Sequence, residues 1–229
     1  MPLLTDEERE FLFNEASFLK GLSRPLIAEL ISIANVAVYP KDGYVTHIGD
    51  MNSDFFLVIS GVISVNACSS SGKQITFLRV KAGEVYNMLS PYIDTPRFLE
   101  ARAVSKTRCL WVKGRDYFSF VQKHPPLAAR MFEIIGRALD AANSRILDLM
   151  EKSVDERIKR VLNTLHAKFD SPIMITAVEI ADIAGTTTES VLRTLSKLRK
   201  QNIIETQRGK IWINEPEALK DSEFGELII

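Results

Sequence analysis

Apolar positions follow a helical period at both ends of this chain and a strand-like pattern in its middle. From about residue 5 to 34, Phe11, Phe13, Phe18, Leu19 and Leu22, then Leu26, Leu30, Ile31 and Ile33, fall at helical spacing. Short helices packing on the next domain account for it. From about 36 to 115 the pattern becomes short runs rich in β-branched and aromatic residues: Phe55–Ile59, Val62–Val65 and Gln74–Val80, closing with Arg108–Val112. Gly49, Gly61, Gly72 and Gly83 punctuate these runs at steps of 12, 11 and 11, the turn interval of a compact antiparallel barrel or roll. Ser69-Ser70-Ser71-Gly72-Lys73 reads as an exposed hairpin tip.

A long helix is predicted from about Pro126 to Glu151. Ile135, Leu139, Ala142, Ile146 and Leu149 step along it by 4, 3, 4 and 3, the spacing of a coiled-coil seam, with Gly136 and Asn143 as imperfections. Two readings stand: a helix packed against its own roll, or the seam of a dimer. Ser153-Val154-Asp155-Glu156 fits a capping box, so a new helix starts at 154 after a hinge at 151–153. The expected domains are 1–125 (helices and roll), 126–152 (long helix and hinge) and 153–229.

The stretch 173–213 carries the chemistry. Thr176-Ala177-Val178-Glu179 is a second capping box, opening a short helix that buries Ile180, Ile183 and Ala184 and ends at Gly185. Thr187 then caps a second helix. It turns Val191, Leu195 and Leu198 inward and leaves Thr188, Glu189, Leu192, Arg193, Ser196 and Lys197 outward. Thr206–Lys210 joins two short strands, Ile203–Glu205 and Ile211–Ile213. Short helix, glycine turn, second helix and hairpin form a winged helix-turn-helix, a DNA-reading device. From 190 to 211, Arg193, Lys197, Arg199, Lys200, Arg208 and Lys210 face only Glu205, a local excess of five cations suited to phosphates. Arg193 can donate twice to a guanine, and Glu189 can accept from a cytosine amino group.

Composition changes this picture little. The 229 residues carry a formal net charge of zero, so any electrostatic footprint is local. No apolar run is long enough for a membrane span, and the start Met1-Pro2-Leu3-Leu4-Thr5 lacks signal-peptide features, so a cytoplasmic protein with no membrane partner is expected. Cys68 and Cys109 are too few for a disulfide framework; Cys68 is expected near an exposed hairpin and Cys109 in a buried strand. There is no phosphate loop, no metal-spaced cluster and no nucleophile–base pair, so an enzyme and a metal site are not expected.

Through Ile180–Arg193, Gln201-Asn202-Ile203-Ile204, and the Gly49-Asp50 and Ser60-Gly61 turns, the chain resembles the CRP/FNR family of bacterial transcription regulators over nearly its full length. The resemblance implies an α+β architecture: a cyclic-nucleotide-binding-type β-roll, a long dimerisation helix and a C-terminal winged helix. It implies a homodimer on a palindromic double-stranded DNA site, RNA polymerase as a further partner, and an effector at the sensor domain. It also implies that Glu189 and Arg193 read base edges, while Thr187 and Thr176 meet phosphate. Thr188 stands where cyclic-AMP-type members carry arginine, and Leu192 where FNR-type members carry serine. The half-site core therefore resembles the family's TGA-containing sequence, and Leu192 can meet a thymine methyl. Lys197, Arg208 and Lys210 complete the expected DNA contacts.

The sensor departs further. Where cyclic-AMP binders carry a Gly-Glu pair and an Arg-Ser/Thr pair, this chain has Tyr86-Asn87 and Arg97-Phe98, which argues against cyclic AMP. A four-thiolate iron–sulfur cluster cannot be built from two cysteines. Haem stays open, with His47 (expected on a roll strand), His124, His166, Met88 and Tyr92 as the conceivable ligands. A small apolar or anionic effector between roll and long helix is the other expectation, with Asn87, Met88, Arg97, Phe98 and Asn143 as candidate pocket residues. A ligand-binding module that docks a protein partner through the winged helix is the remaining alternative.

Overall fold

The computed structural model describes residues 3–51, 53–70, 72–93, 95–220 and 227–229. Met1 and Pro2, read above for a signal peptide, and Ser71 of the hairpin tip lie outside these. The chain divides into two compact units, 1–68 with 77–135, and 69–76 with 136–229.

The first unit is organised by β3 (Phe55–Ser60), whose first five residues are all buried. Strand geometry sends alternate side chains to opposite faces, so an unbroken apolar run needs cover on both. Phe56 and Val58 join Ile63, Val65, Ala101 and Cys109 in one core. These residues belong to β4 (Val62–Cys68), β7 (Glu100–Ala103) and β8 (Thr107–Val112), so this core fills the inside of the roll. Two four-stranded antiparallel sheets enclose it, in the orders β1-β8-β3-β6 and β2-β7-β4-β5. The other strands are β1 (Asn35–Tyr39), β2 (Tyr44–Thr46), β5 (Gln74–Lys81) and β6 (Val85–Tyr86).

Phe55, Leu57 and Ile59 face the other way, with Leu110 and Val112 of β8, into a core closed by helices. These are α1 (Asp6–Asn14), α2 (Arg24–Ser32), α3 (Gly114–Lys123) and the start of α4 (Pro125–Glu151). Tyr117 of α3 is fully buried, its ring stacked on Phe55 at 4.2 Å. The two N-terminal helices thus pack on the roll, as their spacing predicted. All four punctuating glycines have φ between +79 and +88°, the left-handed region that favours glycine.

Three expectations need correction. The helix over 114–123 was not anticipated, and α4 begins at Pro125. The second strand runs on to Cys68 instead of stopping at Val65. His47 is not on a strand: β2 ends at Thr46, and the Asp50 carboxylate accepts the His47 amide at 2.7 Å to form a turn. Cys109 is buried, which pushes its thiol up to about 12, and Cys68 is exposed.

In the second unit, α5 (Val154–Phe169), α6 (Ala177–Ala184) and α7 (Thr188–Lys200) enclose a core with β9 (Ile173–Met174), β10 (Ile204–Gln207) and β11 (Lys210–Ile213). The Ser153–Glu156 capping box forms as expected. Arg160 of α5 is buried and bonds both Asp148 and Ser144 of α4, the Ser144 hydroxyl at 2.6 Å. Two buried charges are tolerated here because they neutralise each other and the third group satisfies a remaining hydrogen.

Gly61 and Gly72 test the turn geometry against each other. A Cβ at Gly72 would meet nothing within 4 Å, whereas one at Gly61 would lie 2.5 Å from Thr107 Oγ1 and 2.7 Å from the Lys106 carbonyl. Gly72→Ala should therefore lose only the backbone term of about 1–2 kcal/mol. Gly61→Ala should lower the melting temperature of the roll distinctly more in calorimetry.

Candidate nucleic-acid interface

Local signals position the second unit's reading surface. Thr176 caps α6, its hydroxyl accepting the Glu179 amide at 3.3 Å while Glu179 accepts the Thr176 amide at 2.8 Å. Gly185 ends α6 in the left-handed conformation, at φ +66. Thr187 then caps α7 by accepting the Ser190 amide at 3.2 Å. At the far end, Asn202 takes φ +56 and the Ile203 amide donates to the Leu198 carbonyl at 3.0 Å, a helix stop that asparagine serves well. Between these caps Val191, Leu195 and Leu198 are buried, as their spacing predicted.

The opposite face of α7 carries Glu189 and Arg193, both exposed, with Thr188 half-buried beside them. Leu192 stands among these polar groups with 56% of its surface accessible. Arg193 Nη2 lies 3.3 Å from the Ser190 hydroxyl, a weak contact on the exposed face of α7. Lys197 behaves differently. Its Nζ is 2.6 Å from Asp155 of α5, which also accepts from the Thr194 hydroxyl at 2.5 Å. That lysine braces α7 against α5 as well as adding charge.

The wing is tighter than expected. Its strands extend to Gln207 and from Lys210, leaving only Arg208 and Gly209 in the turn, with Gly209 at φ +73. Strand β9 pairs with β11 as a third strand, absent from the sequence reading because two residues carry no period. A groove of about 360 Å³ runs between α7 and the wing, lined by Thr176, Leu192, Ser196, Arg199, Thr206 and Arg208 among others. It brings together Thr176, Leu192 and Arg208 from the predicted set. Lys210 is not on it, because β11 turns alternate residues to opposite faces and Ile211 is the one that lines the groove. Arg199, counted above only as a charge, is the residue that sequence reasoning missed; its place seven positions after Leu192 was the available signal.

Comparisons with known proteins agree with this architecture. Residues 36–124 match the family of cyclic nucleotide-binding domains, and residues 156–222 that of Crp-like helix-turn-helix domains. The cyclic AMP receptor protein of Thermus thermophilus is 26% identical over 209 residues, covering 90% of this chain and 95% of that protein. The chain belongs to the CRP/FNR family. FixK2 of Bradyrhizobium japonicum shares the fold with a TM-score of 0.73 at 21% identity, over 82% of this chain and 96% of that one. The c-di-GMP-responsive regulator CLP of Xanthomonas campestris does so at 0.74 and 17%, over 83% and 99%.

Two further features bear on this CRP/FNR chain. The α4 seam is open: Leu139, Ile146 and Leu149 are 60%, 55% and 52% accessible, while the helix buries Leu127, Met131, Ala141, Ser144 and Asp148 instead. Ile135 is half-buried and Ala142 exposed. Phe132, 73% accessible and seven residues before Leu139, extends the same line by one turn and was missed. In the roll, Asn87 Nδ2 donates to the Asp54 carbonyl at 2.8 Å, Met88 packs on the helix-covered core, Arg97 is half-buried and Phe98 is exposed. Asn143 lies in the other unit, exposed on α4. The histidines are engaged elsewhere: His47 stacks on Tyr44 at 4.3 Å, His124 lies 3.1 Å from Glu29, and His166 is 3.2 Å from the Ser171 hydroxyl. Among the described residues, no helix is long and apolar enough to cross a membrane.

Bonding to Lys197, and then to Thr194, holds the Asp155 carboxyl below the usual aspartate range. A depressed folded pKa means the associated stability is complete above the unfolded value and is lost as pH falls through the folded one. Because both side chains are substantially exposed, the contribution is below about 1 kcal/mol. Carbonyl NMR titration should show the Asp155 pKa rising toward the ordinary value in Lys197→Met.

Proposed function

We propose that the protein is a sequence-specific transcription regulator that binds a palindromic DNA site as a homodimer, controlled by a small effector other than cyclic AMP. The observation that carries this is the exposed face of α7, where Glu189, Leu192 and Arg193 stand beside a groove edged by Thr176, Arg199 and Arg208. The first three are placed to read base edges, with Leu192 meeting a thymine methyl. Thr176, Thr187 and the groove arginines, with Lys210 on the far face of β11, serve the phosphates. No catalytic group is part of this reading.

The dimer reading is supported by the open edge of α4. Six positions from Phe132 to Leu149 step by 3, 4, 3, 4 and 3, and Phe132, Leu139, Ile146 and Leu149 among them are more than half accessible. A second copy of the same helix would cover them in coiled-coil fashion.

For the effector, the chemistry at the roll argues against cyclic AMP although the Thermus relative carries that name. The left-handed residue is Asn87, at φ +67, so a glycine of the cyclic-nucleotide pair matches Asn87 better than Tyr86, and its glutamate then falls on Met88. In either register no carboxylate is present for a ribose. The Asn87 side chain is already used by the Asp54 carbonyl and the Ser90 hydroxyl. Tyr86 is buried and bonded to Thr46 at 2.8 Å. Arg97, half-buried, is the cation of the predicted pocket set that an anionic effector would meet, with Phe98 exposed beside it.

On a site selected from random DNA, Arg193→Ala should weaken binding by about 1–3 kcal/mol and relax preference at one base pair per half-site. Wild-type affinity should fall steeply with added salt. Equal affinity of the variant for the selected site, or binding indifferent to salt, overturns the DNA reading. In sedimentation, the wild type should be a dimer and Ile146→Asp a folded monomer.

A further inference from the structure

The C-terminal end of α6 comes just before the turn that launches α7, and two arginines from outside the helix pair hold it. Arg145 of α4 donates from Nη2 to the carbonyl of Ile183. Arg157 of α5 donates from Nε to the carbonyl of Ala184 at 3.2 Å. These are the last two carbonyls of α6, groups with no partner inside their own helix. They also form the negative end of its dipole, where a cation is favoured. Just beyond them, a Cβ on Gly185 would lie 3.4 Å from Leu149 Cδ2, so α4 abuts the turn itself.

Arg145 differs from an ordinary cap in reaching a third segment. Its Nη2 carries two hydrogens, and the carbonyl of Thr76 accepts from the same nitrogen at 3.0 Å. Thr76 belongs to residues 69–76, the β4–β5 hairpin tip that clusters with this unit. Burial, and then the neighbouring Glu179 charge, raises the Asp182 pKa in α6, while the charge of Lys73 in the same tip partly offsets it. Arg157 does not extend to the tip; its Nη1 donates to the Lys152 carbonyl at 3.0 Å.

We infer that Arg145 is a positioning residue for DNA reading. One guanidinium joins α4, the hairpin tip and the last turn of α6, and so sets the angle at which α7 is presented. The inference rests on the DNA-binding reading above. A displacement of the tip or of α4 reaches α7 through backbone carbonyls, with no contact to DNA by Arg145 itself. Lysine keeps the charge but ends one bond short of the position of Nη2, so its ammonium does not reach both carbonyls.

The test uses the full-length protein and two variants, Arg145→Met, which keeps the apolar stem, and Arg145→Lys. Hydrogen exchange should show faster exchange confined to 181–187 in both. Affinity for the selected site should change by about fivefold or more, while the slope of log affinity against log salt stays that of the wild type. Unchanged exchange at 181–187 overturns the inference, as does an affinity within twofold of wild type. A slope reduced by about one also overturns it, because Arg145 would then be a phosphate contact. If Arg145→Met loses protection throughout 154–213, Arg145→Lys is judged by the same criteria. A wild type that binds no DNA defeats the function proposed above, while exchange still reports whether the bridge holds α6.

Discussion

The apolar run Phe55–Ile59 has to be buried on both of its faces, and the arrangement of the first unit follows from that demand. One face is closed by the opposite sheet of the roll, the other by α1, α2, α3 and the start of α4. At about 1.5–3 kcal/mol per large apolar side chain, neither cover is dispensable. Helical geometry then carries the constraint onward. Once Leu127 and Met131 are committed to that core, the 3.6-residue period leaves Phe132 on the accessible side of α4.

The second unit depends less on area and more on end effects. Hydroxyl caps at Ser153, Thr176 and Thr187 start three helices, while Gly185 and Asn202 stop two of them with left-handed backbone. Each satisfies amides or carbonyls that the helix cannot pair internally. The consequence is that α7 begins and ends at defined residues, which fixes which side chains share its exposed face.

These end signals are short-range, and so they were legible. Both capping boxes, the Gly185 stop, the Thr187 start and the buried line Val191, Leu195 and Leu198 could all be read from spacing. Two-residue strands such as β6 and β9 could not, because no period exists over that length. The helix over 114–123 was hidden behind the strand and the proline pair on either side of it. His47 was misplaced because a side chain three residues on, Asp50, ends the strand. Arg145 and Arg157 had no signal at all. Their acceptors are backbone carbonyls, which every residue has, and only the fold says which ones are near.

The pairing of Lys197 with Asp155 has a consequence for how the protein searches. Random DNA is held almost entirely by charge, whereas a correct site adds directional contacts to bases. A cation that must first leave a carboxylate contributes less to the first kind of grip and leaves the second intact. The surface therefore meets phosphate with less than its full nominal charge of five. The pairing therefore weighs on the grip to bulk DNA and not on the base contacts.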